Sequence, residues 1–129
     1  MAESVREVVR RRAGDRCEYC RLSQSAVPFI GFHVEHIIAR QHGGLSELDN
    51  LAWCCHRCNA YKGPNLSTID ATSTDVVRLF NPRLDIWADH FRRDGAEIIG
   101  LSAIGRATAQ LLCFNDPYRV ELREYDVES

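Results

Sequence analysis

The chain has 129 residues, of which 16 are basic and 18 acidic, giving a formal net charge of −2. This length suits one domain with its own hydrophobic core, and the weak negative charge excludes a strongly basic nucleic-acid coat protein. No apolar run approaches the roughly 20 residues needed to cross a bilayer, and no signal-type apolar segment follows the charged N-terminus. We therefore expect a cytoplasmic protein with no membrane partner.

The first predicted element is an N-terminal helix within residues 1–16. Ser4 and Glu7 have the spacing of a capping box, and Gly14 supplies a stop signal. One face carries four arginines, at positions 6, 10, 11 and 12. Such a run either forms a solvated surface or contacts phosphate groups, whose oxygens match the planar guanidinium.

Two CxxC pairs follow, Cys17 with Cys20 and Cys55 with Cys58. The two-residue gap lets each pair present both sulfurs to one point, so the four thiolates predict a single tetrahedral structural zinc site. Disulfides are one alternative, disfavoured by the lack of a secretory segment, and an iron site on the same cysteines is another. Cys54 is one residue too far from Cys58 to complete a pair, so we place it on the core side of the preceding strand.

The segment between the cysteine pairs predicts a strand, a loop, a second strand and a short helix. Residues 29–38 are rich in Phe, Ile and Val and form the first strand, bent or broken near Gly31. Two adjacent glycines allow the loop to reverse, residues 51–54 return as the second strand, and residues 55–62 are helical. So small a ββα unit buries little surface and depends on its metal.

Glu35 and His36 stand near the end of the first predicted strand. Ideal alternation puts their side chains on opposite faces of the strand. Both can serve one site only if the strand twists or ends there, which the loop-forming sequence after Arg40 permits.

The remaining residues, 64–129, predict accessory strands and helices. In chain order these are two short strands around a polar turn (66–80), the two arms of a C-terminal β-hairpin (86–91 and 94–102), a helix from Ser102 through Leu112, and a polar helix with an acidic tail (116–129). The hairpin is predicted to turn at Asp94 and Gly95.

Together these elements predict a small α+β protein, a single domain over residues 1–129. Its parts are the N-terminal helix (1–16), the zinc-bound ββα core (17–63) and the extension of strands and helices (64–129). Trp53 and Trp87 are expected in the hydrophobic core.

The pieces VEHIIA, GG, DNL and CCHRCNAYKG, in that order, resemble the HNH endonuclease family over roughly Cys17 to Gly63. LFNPR and GRAT in the later part of the chain are similar to a bacterial and phage subgroup with a zinc knuckle. The resemblance implies a zinc-stapled ββα-metal motif and an endonuclease that hydrolyses DNA phosphodiester bonds.

The resemblance also implies a role for each residue of the motif. His36 is the general base, Glu35 and Asn59 hold a catalytic divalent ion, and Asn50 fixes the loop and the histidine. Asn59 stands where the family often has its last histidine, and an amide oxygen favours Mg²⁺ or Mn²⁺ over softer ions. Candidate contacts to DNA phosphates are Arg40, His42, Arg57 and Lys62.

Two other functions stay open on the sequence. One is a non-catalytic zinc module that binds nucleic acid or protein, and the other is a redox protein with an iron site. No helix obviously reads base sequence, so a nuclease of this kind is expected to have low specificity or a protein partner that supplies it.

Overall fold

Three two-stranded antiparallel hairpins and five helices make up residues 3–126, the part of the chain that the computed structural model describes. In chain order they are α1 (Val5–Arg12), β1 (His33–His36), β2 (Leu51–Cys54), α2 (His56–Lys62), β3 (Ser67–Ile69), β4 (Val76–Arg78), α3 (Trp87–His90), β5 (Phe91–Asp94), β6 (Glu97–Gly100), α4 (Ala103–Leu111) and α5 (Pro117–Tyr125). The predicted mixed α and β architecture is confirmed. The end of the predicted acidic tail, residues 127–129, lies outside the described residues.

Helix α1 begins and ends where the sequence predicted. The Ser4 hydroxyl accepts a hydrogen bond from the Glu7 amide at 3.1 Å, and Gly14 has a φ of +64° just past the helix end. Val9 is the buried residue of the helix. The Arg12 guanidinium donates to the carbonyl of Leu48 at 2.8 Å, so one of the four arginines holds α1 against the hairpin instead of lying free in solvent.

The β1–β2 hairpin is shorter on its first side than predicted. His33 pairs with Cys54 and His36 with Leu51, so β2 has its predicted bounds whereas the strand predicted over residues 29–38 is wrong except for four residues. Gln24 explains the difference, because its side-chain amide donates to the carbonyl of Ile30 at 2.9 Å and accepts from the Phe32 amide at 2.8 Å. These bonds fold the preceding residues into a loop before the strand can begin.

The first arm of the C-terminal hairpin also differs from its prediction. Residues 86–91 were expected to be extended, but α3 is a helical turn that leads directly into β5. The Trp87 indole donates to the Tyr19 carbonyl at 2.8 Å, and its ring lies 5.1 Å from that of Phe91. These tertiary contacts override the strand propensity of the local sequence. The turn at Gly95, with a φ of +61°, is as predicted.

Helix α4 packs closely on the second hairpin. Ser102 caps the helix as predicted, accepting from the Gly105 amide at 3.0 Å. A Cβ atom at Gly105 would lie 2.0 Å from the His90 carbonyl oxygen, so only glycine permits this approach of helix and strand. Helix α5 follows after the Asp116 N-cap.

The hydrophobic core runs from α1 through the β1–β2 hairpin to α4. Its aromatic part joins the two halves of the chain, with the Phe91 ring 5.3 Å from Phe80 and 5.5 Å from Phe114. Trp53 is buried and Trp87 packs against this core half-buried. Among residues 3–126 no helix has both the length and the apolar character that crossing a membrane would require.

Candidate active site and metal centre

Four cysteine sulfurs meet at one point between the two halves of the ββα unit. The Sγ atoms of Cys17, Cys20, Cys55 and Cys58 all lie within 4.8 Å of one another, and all four residues are buried. Cys54 is apart from them, with its thiol directed to the Cys55 carbonyl at 3.4 Å. A closed all-sulfur set of four is the donor set of a structural zinc ion. The residues therefore fit the metal that the spacing predicted.

Each cysteine pair has the geometry of a zinc knuckle. The Cys20 amide points at the Cys17 sulfur at 3.5 Å in the first knuckle, and the Cys58 amide at the Cys55 sulfur at 3.4 Å in the second. Cys55 is also the N-cap residue of α2. A metal held here would thus fix the start of α2 relative to the hairpin.

Backbone pairing brings the first knuckle to the second. The amide of Glu18 donates to the Trp53 carbonyl, and the Trp53 amide donates to the Glu18 carboxylate, both at 2.8 Å. The carboxylate of Glu18 also pairs with Arg83. Glu18 was missed by the sequence reasoning, because an acid between two cysteines carries no signal of its long-range partners.

Glu35 lies inside the unit and is 5% exposed. Its Oε1 atom is 2.6 Å from the Lys62 ammonium, and its Oε2 atom accepts a hydrogen bond from the Tyr19 hydroxyl at 2.9 Å. Burial raises the pKa of the Glu35 carboxyl, and the charge of Lys62 and the two side-chain hydrogen bonds oppose that rise. The carboxylate therefore already has a resident cation.

Lys62 is the one predicted phosphate contact that the structure contradicts. Its side chain is 2% exposed, and its ammonium also donates to the Ile37 carbonyl at 2.9 Å. A lysine in this position cannot reach a phosphate group from outside. The physical reason is the buried carboxylate of Glu35, which needs a counter-charge more than the surface needs another cation.

His36 ends strand β1 and is half-buried. Its Nε2 atom lies 2.9 Å from the Ser46 hydroxyl, across the loop. The strand stops here because the next amide, that of Ile37, donates to the Asn50 carbonyl at 2.9 Å. Ending the strand is the condition under which the sequence allowed the acid and the histidine to serve one site.

An open groove, which we call the His36 groove, brings several predicted residues together. Its lining residues are Val34, Glu35, His36, Ala39, Arg40, Gln41, Asn59, Gly63 and Pro64. The carboxylate of Glu35, the amide of Asn59 and the imidazole of His36 thus border a common space. Oxygen donors of these types suit a hard divalent cation, but an ion at Oε1 of Glu35 would have to displace Lys62.

Asn50 pins the loop that closes the groove. Its Oδ1 atom accepts from the Ile38 amide at 2.9 Å, and its amide group donates to the carbonyls of Ile38 at 3.0 Å and Leu45 at 2.8 Å. Gly44 lies so close to this segment that a Cβ atom there would be 1.7 Å from the Ile38 oxygen. The asparagine and the glycine together determine the loop's path.

The other predicted phosphate contacts differ in accessibility. Arg40 and His42 are exposed on a helical turn beside the groove. Arg57 is half-buried, 3.9 Å from the Asp116 carboxylate and over the ring of Tyr118 at 4.4 Å. Arg57 is therefore held against α5, whereas the first two face solvent.

Arg119 of α5 is a second residue that the sequence reasoning missed. It is 1% exposed, and its Nη1 atom lies 2.9 Å from the Cys58 sulfur. An arginine in a polar helix ordinarily indicates a solvated face, so no local signal marks it.

The comparison with known families agrees with this geometry. The family model of the HNH endonucleases matches residues 17–65. This span holds both knuckles, the β1–β2 hairpin and α2. No curated protein and no solved structure matches the chain.

Proposed function

We propose that this protein, whose residues 17–65 match the HNH endonuclease family, is a metal-dependent endonuclease that hydrolyses DNA phosphodiester bonds. The supporting observation is the His36 groove, where an imidazole, a carboxylate and an amide meet beside a hairpin and helix joined at four cysteines.

His36 is the proposed general base. Imidazole groups exchange a proton between about pH 5 and pH 8, so His36 can accept a proton from water near neutrality. Ser46 bonded to Nε2 would orient the ring, and Asn50 would hold the loop on which Ser46 lies. Attack in line on phosphorus and departure of the 3′ oxygen leave a 5′ phosphate.

Glu35 and Asn59 are the proposed ligands of a single Mg²⁺ or Mn²⁺ ion. Such an ion supplies positive charge to the phosphate and to the departing oxygen. Lys62 holds Glu35 at 2.6 Å in the described conformation, so ion binding requires Lys62 to release Oε1. Arg40 and His42 are the proposed contacts to flanking phosphates.

A second function is favoured by the same ion pair. Because Lys62 already neutralises Glu35, the chain could be a zinc module that binds DNA or another protein without cutting. Its four-cysteine centre would then be its working part.

A plasmid nicking assay with Mg²⁺ and with Mn²⁺ tests the two functions. The parent is expected to nick, and His36→Ala to lose cleavage by at least about 100-fold, the usual scale of general-base removal. Glu47→Gln changes an exposed side chain of the same loop and serves as the matched control. Zinc content and circular dichroism should be unchanged in both variants.

The opposite result is equally clear. If the parent and His36→Ala are both inactive with every metal while DNA binding persists, the binding module replaces the nuclease. Cleavage that survives in His36→Ala would remove His36 from the mechanism.

A further inference from the structure

Arg119 is surrounded by hydrogen-bond acceptors on every side. Its Nη1 atom donates to the Cys58 sulfur at 2.9 Å and lies 3.9 Å from the Cys55 sulfur. Its Nε atom donates to Asp116 at 2.8 Å, and Nη2 donates to the carbonyls of Leu112 and Cys113. The guanidinium is thus aimed at the second knuckle by a rigid set of partners.

Helix α5 also reaches the first knuckle. Asp126, directly after the helix, accepts a hydrogen bond from the Ser23 amide at 3.0 Å. Ser23 pairs with Arg16 in the short bridge that flanks Cys17 and Cys20. The two ends of α5 therefore contact the two knuckles, although Arg119 is 61 residues from Cys58 in sequence.

Charge gives these contacts a purpose. A Zn²⁺ ion with four thiolates carries two excess negative charges, and burying them without compensation is costly. A buried guanidinium that donates to one thiolate supplies a positive charge and a charge-assisted hydrogen bond. Partners of this kind, outside the ligand set, tune how tightly a site holds its metal.

We propose that Arg119 is a positioning residue of the zinc centre, which binds the Cys58 thiolate, retains the ion and couples it to docking of α5. The centre then consists of four cysteines and one arginine, and the C-terminal extension is part of the metal site. This inference rests on the structural zinc of the proposed function and not on catalysis. A protein that fails to cut DNA could still show it.

Zinc retention is measured on the full zinc-loaded chain with a chromogenic chelator. Arg119→Met keeps the length of the side chain and removes its donors, and it is expected to weaken zinc affinity about 10- to 100-fold. Arg123→Met is the matched control, because Arg123 lies one turn later, is 2% exposed and donates to the carbonyls of Ala96 and Phe114. Equal zinc loss in both variants would reduce Arg119 to a packing role and overturn the proposal.

Cobalt substitution separates a hydrogen bond to sulfur from general stability. An N–H donor lowers the energy of the sulfur lone pair, so its removal in Arg119→Met should move the sulfur-to-cobalt charge-transfer band to longer wavelength. The band should stay in place in Arg123→Met. An unmoved band in folded Arg119→Met would overturn the inference.

Arg119→Lys keeps the measurement possible if the methionine variant does not fold. Lysine retains the charge and a single donor but cannot make the fork to Asp116 and the two carbonyls. Zinc affinity and band position between those of the parent and of a four-cysteine centre without a donor support the proposal. Parent-like values together with a large loss of stability contradict it.

Discussion

The ion pair of Lys62 and Glu35 is the main residue-scale finding in the ββα unit. Both side chains are buried, and the carboxylate has a second partner in the Tyr19 hydroxyl. Buried charges of this kind stabilise a fold only while each has its partner. The pair also sets a condition for catalysis, since a divalent ion must compete with an ammonium that is already in place.

Removing only the lysine should be costly. Lys62→Met leaves a buried carboxylate without its cation and is expected to lower the free energy of unfolding by about 3–5 kcal/mol. Urea unfolding of the zinc-loaded protein measures the change. The double variant Glu35→Gln with Lys62→Met should recover a large part of the loss, because the amide oxygen still accepts from Tyr19. A double variant no more stable than Lys62→Met alone would show that the two charges are not coupled.

Asn50 acts through the loop that it pins. Asn50→Ala removes three hydrogen bonds to Ile38 and Leu45 and should lower the free energy of unfolding by about 1–3 kcal/mol. The nicking rate should fall as well, since the loop carries Ser46 against His36. Hydrogen exchange at the Ile38 amide should accelerate selectively. An Ile38 amide that stays as protected as in the parent would argue against the role assigned to Asn50.

At the scale of elements, the β3–β4 hairpin is attached to α4 through one aspartate. Asp70 accepts two hydrogen bonds from the Arg106 guanidinium, at 3.1 and 2.8 Å, and one from the Ser73 hydroxyl at 2.7 Å. The Arg106 bond, followed by that of Ser73, holds the pKa of the Asp70 carboxyl well below its ordinary 3.8. The hairpin is thus fixed to the helix by an ionised group.

This attachment should make stability sensitive to acid. Because the folded-state pKa is lowered, the contribution of Asp70 is present above the ordinary value near 3.8 and is lost as the pH falls towards the folded-state value. Asp70→Asn should therefore lower the urea midpoint near pH 7 and flatten its decline between about pH 4 and pH 2. Asp75→Asn, an exposed change in the same turn, is the control. An unchanged acid limb in Asp70→Asn would contradict the assignment.

At the scale of the whole molecule, arginine has mainly an internal use. Fifteen of the sixteen basic residues are arginines, a composition that first suggested phosphate contacts. Arg12, Arg83 and Arg119 instead bind backbone carbonyls, a carboxylate and a thiolate inside the chain. The basic groups that remain exposed near the groove are few, which fits the net charge of −2.

DNA binding should therefore be weak and depend on a small number of phosphates. The double variant Arg40→Ala with His42→Ala is expected to weaken binding equally for all sequences and to reduce the salt slope by about 1 for each phosphate that the variant no longer binds. Fluorescence anisotropy with a labelled duplex at several salt concentrations measures both. Arg10→Ala, an exposed arginine on α1 paired with Asp15, is the control. An unchanged slope in the double variant would place the DNA on another face.

The sequence by itself determined the features that depend on neighbouring residues. The spacing of the cysteines, the Ser4 and Ser102 caps, the turn at Gly95 and the bounds of β2 are all local, since each is decided by a few residues within one turn or strand. Only the tertiary structure decided the length of β1, the helical turn at Trp87, the burial of Lys62 and the position of Arg119. Each of these depends on a partner between 8 and 68 residues away in the chain, whose identity no local pattern can supply.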